Sequence, residues 1–266
     1  MKKEASTPGI LFIAGLFCLL IIIWLVKNQK PGNKTLSSQN FVCTNVFENL
    51  KSADSGIAWL ETEKEFKFIG DERYFWRNKK KLKVFFWENN VEAARKVLNI
   101  ANEWYSYTGI RLEKTDTMLY SDIRVSFVEL GYSSSVGSEA INHFGETTMA
   151  LHGLDTMTDK AEMKRIVLHE FGHALGLMHE HQRPGLSIPW DTPAVYKFYY
   201  DHFKWARDCV DQFVFKPFYG YACNDFDPKS IMIYAVPDTL TKGNFEIRWP
   251  DDLSSNDKIC AKKVYQ

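Results

Sequence analysis

The chain has 266 residues, 45% of them hydrophobic and 15% aromatic, enough for one large core and a small additional segment. Lysine plus arginine and aspartate plus glutamate each number 33, so the formal net charge is zero. A general nucleic-acid binder carries a basic excess, and this chain has none. The short run Lys79-Lys80-Lys81 reads as a solvated strand entry or turn.

Residues 10–26 are unbroken apolar sequence, with Lys2 and Lys3 before them and Lys27 and Lys30 after. The run is close to the length of a membrane span. An uncleaved anchor is the first reading, a cleaved signal the second and a buried helix the third. Lys27-Asn28-Gln29-Lys30-Pro31 makes a poor signal cleavage site. Basic residues on both flanks leave orientation open. Either membrane reading can place the bulk of the chain outside the cytoplasm, anchored through residues 10–26 or secreted. Residues 27–40 have linker composition, with Pro31-Gly32 and Ser37-Ser38. Beyond Cys18 in the apolar run, Cys43, Cys209, Cys223 and Cys260 can form up to two disulfides in an oxidising compartment. Cys209 with Cys223 and Cys43 with Cys260 are the pairings considered.

Residues 41–75 are too few for an independent core. Residues 82–87 read as a strand. Val91, Ala94, Val97, Leu98, Ala101, Trp104 and Tyr105 recur at helical spacing, with a cap at Asn89 or Asn90 and a stop at Gly109. Residues 110–112, 123–128 and 147–151 read as three more strands. A second helix starts near Asp159 and runs to Gly176, with Glu162 placed for a capping box. Asp191-Thr192-Pro193 opens a further helix, and residues 253–265 form a terminal one. The pattern predicts a mixed sheet packed by helices.

The second helix carries His169-Glu170-Phe171-Gly172-His173, followed by Gly176 and His179. Histidines four apart share a helix face, so both imidazoles can reach one ion. Gly176 lets the chain leave the helix, and His179 can swing back as a third ligand. Three neutral ligands around zinc leave a position for water, whose pKa the metal lowers. Glu170 can take the proton and return it to a departing amine. His181 reads as a loop residue beside the site, and His143 as a loop histidine near a cleft edge.

With Leu177-Met178-His179-Glu180-His181-Gln182-Arg183-Pro184 after the helix, and Ser230-Ile231-Met232-Ile233-Tyr234 further on, the chain resembles the astacin-type zinc metallopeptidases of the metzincin group. It is most similar to the bacterial members. The resemblance implies an α+β fold: a metzincin-type domain over residues 76–266, with a mixed twisted sheet, an active-site helix and a helical, irregular C-terminal subdomain. It implies one Zn2+ per chain, Met232 in a turn beneath the ligands, and Tyr234 as a fifth ligand that swings away to stabilise the tetrahedral intermediate. Thr148, Met149, Ala150 and Leu151 resemble the edge strand that pairs with an extended substrate. Glu180 resembles the family glutamate that bonds with the mature N-terminus. His181 stands where animal members read glutamine, and their disulfide framework is not reproduced.

Phe68-Ile69-Gly70-Asp71 resembles a propeptide motif of the family in which the aspartate occupies the zinc. Residues 41–75 would then be a pro-like segment and Asp71 an inhibitory metal ligand. Gly70-Asp71 as a plain turn is the alternative. The implied function is an endopeptidase acting on protein or peptide substrates outside the cytoplasm. A catalytically silent peptide-binding relative is the alternative, and hydrolysis of a non-peptide amide a third reading. The intact Glu170 argues against the silent relative.

Overall fold

A computed structural model describes residue 70, residues 72–219 and residues 225–266. The apolar run 10–26, the linker 27–40, most of segment 41–75 and Asp71 lie outside the described residues. Among the described residues, no helix is long and apolar enough to cross a membrane.

Strand β1 (Lys81–Phe86) buries Leu82, Val84 and Phe86 and turns its lysines outward, the alternation expected of a half-buried strand. It pairs in parallel with β2 (Arg111–Lys114) and β3 (Ile123–Ser126). Parallel neighbours need a crossover, and α1 (Val91–Ala101) supplies it between β1 and β2. Asn90 caps this helix by accepting from the Ala93 amide, and Ala94, Val97, Leu98 and Ala101 form its buried face. The helix expected to run on through Tyr105 tightens to a 3-10 turn over Asn102–Trp104 and resumes as α2 (Tyr105–Thr108). Gly109, at φ 68°, ends it.

The sheet order is β2-β1-β3-β5-β4, where β4 is Tyr132–Ser134 and β5 is Met149–Leu151. The expected edge strand is therefore corrected. Residues 149–151 are all buried, paired in parallel with β3 on one side and antiparallel with β4 on the other. An apolar three-residue run enclosed on both sides is an interior strand. The edge belongs to β4, whose serine-rich sequence carries no strand signal.

Helix α3 (Lys160–Ala174) packs on this sheet with its second half wholly buried. Asp159 caps it, accepting from the Ala161 and Glu162 amides. Glu162 does not close a capping box; it binds Arg165 through Nε at 3.0 Å and Nη2 at 2.5 Å. The C-terminal part is helical and irregular. It holds α4 (Thr192–Phe203, capped by Asp191), then α5 (Arg207–Val210) leading into a π turn at Asp211–Phe215. After a long irregular stretch comes α6 (Ser255–Tyr265). Val195, Tyr199, Val210, Val214 and Leu240 form a core of their own here. Cys209 is a free thiol, which rules out its pairing with Cys223, and Cys260 is disulfide-bonded.

Asp257, in the first turn of α6, is fully buried. Its carboxylate accepts from the Ile231 amide at 2.8 Å, the Ser230 hydroxyl at 2.7 Å and the Ser254 amide at 2.9 Å. Burial pushes its pKa up to about 6 against the pull of these donors. The folded protein therefore holds this proton more tightly than the unfolded chain. The stability it supplies is full below about pH 4 and is lost as pH rises through about 6. Asp257→Ala would strand three donors, two of them buried, and is expected to cost about 3 kcal/mol in urea unfolding. Asp257→Asn is expected to be milder and to flatten the stability change across that pH window.

Candidate metal centre

Helix α3 ends in a paired turn: the Gly176 amide donates to the His173 carbonyl at 2.7 Å, and the Leu177 amide to the Gly172 carbonyl at 3.0 Å. Gly176 sits at φ 91°, and a side chain there would strike Phe75. The turn reverses the chain and returns His179 to the helix face that carries His169 and His173. Nε2 of His173 lies 3.2 Å from Nε2 of His169 and 3.0 Å from Nε2 of His179. All three rings are buried.

Each ring is aimed from behind. Nδ1 of His169 contacts the Ile231 carbonyl and Nδ1 of His173 the Leu177 carbonyl, both at 2.7 Å. Nδ1 of His179 lies 3.3 Å from Oε1 of Gln182, whose amide nitrogen in turn donates to the Lys216 carbonyl. Burial pushes the His173 pKa down to about 4 and holds His169 and His179 well below the usual histidine range. Neutral rings that donate from Nδ1 leave their Nε2 lone pairs facing one another, an arrangement that calls for a cation between them. Tetrahedral ligands 2.0–2.1 Å from zinc stand about 3.3 Å apart, close to the two separations from His173, and all three ligand atoms lie within 4.8 Å of one another. Among the described residues, this is the one group of histidine, cysteine or acidic side chains placed to hold a metal.

Met232 lies beneath the helix. A Cβ on Gly172, the residue before His173, would come within 2.3 Å of its Sδ, so any larger residue there would push the methionine from its present position. The Met232 carbonyl accepts from the Glu180 amide at 3.0 Å, tying this turn to the third histidine's segment. The Tyr234 ring centroid is 4.2 Å from that of His179 and 6.1 Å from that of His169. His181 is buried and stacks on both His179 and Tyr234. Glu170 is buried and shares a small pocket with Tyr132, Arg165, His169, Tyr234 and Trp249.

Among the described residues, Glu180 is held within its own segment and by the loop before Met232. Its Oε1 accepts from Arg183 at 2.9 Å and from the Asp227 amide at 3.1 Å, in a fully buried ion pair. Burial pushes its pKa up to about 7, opposed mainly by the Arg183 charge. Gly70 forms an isolated antiparallel bridge with Leu177, the residue whose carbonyl supports His173.

Arg165, Trp249, Gln182 and Asp257 are site-building residues that sequence reasoning passed over. Arg165 carried a usable signal, since it precedes His169 by one helical turn. Trp249 stacks over the Arg165 guanidinium at 4.2 Å, from a stretch with no periodicity to reveal it.

A mixed sheet, a helix bearing two histidines, a third returned by a glycine turn and a methionine beneath define a zinc peptidase of the metzincin type. The family model for Astacin, a peptidase family, matches residues 68–246. Two solved structures of myroilysin, a bacterial protein, are each 32% identical to this chain. The first covers 74% of this chain and 97% of its own at a TM-score of 0.69; the second covers 72% and 86% at 0.56. No curated protein sequence matches. The chain belongs to the astacin family and is a zinc metalloendopeptidase.

Metal analysis is expected to find about one zinc per chain, lost on His173→Ala. Metal-free protein should lose stability as pH falls. The unfolded chain binds protons at these histidines near pH 6.5, and the folded chain only near pH 4 at His173. His173 alone is expected to remove roughly 3 kcal/mol between those limits, measured by denaturant unfolding in chelator.

Proposed function

We propose that the chain cleaves peptide bonds of extracytoplasmic proteins or peptides, with His169, His173 and His179 holding the zinc and Glu170 as general base. The convergence of three buried Nε2 atoms beside the buried Glu170 carries this reading. Zinc, when bound, supplies the Lewis acidity that acidifies water and polarises a carbonyl. Glu170 accepts the proton of the attacking water and delivers it to the departing amine. Tyr234, stacked near two of the histidines, is placed to donate its hydroxyl to the oxyanion that develops on the scissile carbonyl. Met232 supports the histidines from below through its contact with Gly172.

The substrate backbone adds to β4. Gly131 and Ser135 bond to β5 residues and their neighbours, so by the alternation of an antiparallel ladder the amides and carbonyls of Tyr132 and Ser134 face the open side. Contacts between α3 and β4 keep this edge beside the metal centre. An extended edge of this kind suits a peptide better than a small amide.

Residues 1–26 form an anchor or signal and residues 27–40 a linker, followed by a pro-like segment to residue 75 and the catalytic domain over residues 76–266. The apolar run and the disulfide at Cys260 support an oxidising, extracytoplasmic location, anchored or secreted. Asp71 acts as the latency ligand, its carboxylate taking the place the attacking water needs. The Gly70 bridge to Leu177, next in sequence to Asp71 and next in space to the His173 support, favours this.

Glu170→Ala is expected to keep its zinc and lose peptide cleavage by at least about 100-fold. Tyr234→Phe should lower kcat with little change in KM. Asp71→Ala in the full chain should raise peptidase activity before any processing. An unchanged rate in that variant would remove Asp71 from the mechanism while leaving the peptidase assignment standing.

A further inference from the structure

Beside the metal centre lies a cavity of about 460 Å³. One wall comes from α4, through Phe198 and Phe203. The facing wall comes from the chain after Met232, through Leu240, Ile247 and Trp249. Tyr234 belongs both to this cavity and to the small pocket that holds His169 and Glu170. The cavity therefore begins at the reacting centre. An extended peptide advances about 3.4 Å per residue, so a residue flanking the scissile bond is the one whose side chain can enter.

Two side-chain classes compete for this part of the cleft. Arg165 would favour an acidic residue, but two of its nitrogens are bound to Glu162 and Trp249 covers its face. The space beside it is about 10 Å³, room for no more than one water. The large cavity has the opposite character. Its charged members, Glu246 and Arg248, are exposed and pair with each other at 3.3 Å, leaving the interior walls aromatic and aliphatic. The volume and the apolar side chains of the inner walls select an apolar occupant.

We infer that this cavity is a specificity pocket that takes a large apolar or aromatic side chain of the substrate, next to the bond that is cut. The inference rests on the peptidase reading and adds the class of residue selected. Filling such a pocket is worth about 10-fold or more in kcat/KM over alanine.

The test uses the zinc-loaded full chain carrying Asp71→Ala, so that the proposed latency ligand does not block turnover, and a peptide set identical except for one position, occupied by Phe, Leu, Ala or Asp and moved across the cleavage site. Mass spectrometry identifies the bond cut. The expected result is faster cleavage of the Phe and Leu peptides at a bond adjoining that residue, by about 10-fold or more. Pro237→Trp, which fills the cavity from its exposed rim, should bring the Phe-to-Ala ratio close to one, and Phe198→Ala should lower it. Equal rates across the set, or a preference for Asp, would overturn the pocket. A second measurement needs no turnover: calorimetric titration should give a binding response to N-acetyl-phenylalaninamide and not to N-acetyl-alaninamide, with the response lost in Pro237→Trp. If no peptide is cut while this response persists, the pocket stands and the peptidase reading fails. If neither amide is bound differently, the pocket is refuted whatever the cleavage result.

Discussion

The metal centre depends on hydrogen bonds made on the far side of its rings. Nδ1 of His169 and of His173 is held by the carbonyls of Ile231 and Leu177, and those carbonyls are fixed in turn. Ile231 is pinned through its amide by Asp257, and Leu177 by its own amide bond to Gly172. A buried imidazole that must donate from Nδ1 has one lone pair left, on Nε2, and no freedom to point it elsewhere. The ligand set is thus a property of the backbone around it as much as of three histidine side chains.

Close packing enforces the same geometry. Gly172 lets the Met232 side chain lie close against the helix, and Gly176 makes room for Phe75 while turning the chain. The two glycines therefore serve opposite purposes within one motif: the first admits a neighbour beneath the helix, the second frees the backbone to leave it. The last carbonyls of α3 are not left unsatisfied either, since Trp76 donates its indole to Ala174 and Tyr265 its hydroxyl to Leu175. Arg124 performs a comparable service for the cleft's upper loop, donating to the carbonyls of Ser121, Ala140, His143 and Glu146.

The ligand triad and the caps at Asn90, Asp159 and Asp191 were legible in the sequence, because each rests on local spacing or on short-range chemistry; the turn beneath the triad came only with the family resemblance. Strand order was not. The run Met149–Leu151 looks the same whether it lies at an edge or inside, and only its pairing with β4 decides. Strand β4 itself escaped notice because serines carry little strand preference. The Asp257 anchor joins residues far apart in the chain, as does the Arg165 stack with Trp249, and no periodicity announces such partners. The Glu180–Arg183 pair lies within one helical turn and so was within reach of the sequence.

The anchor at Asp257 also bears on biosynthesis. A nascent chain emerging N-terminus first presents all three histidines long before α6 is made. Until α6 is complete, Ile231 has no carboxylate to hold its amide, and Leu175 lacks the Tyr265 hydroxyl. The order of synthesis therefore delays the finished site: a protein-cutting centre gains its backbone supports only after α6 has followed the histidines out and been drawn into the fold.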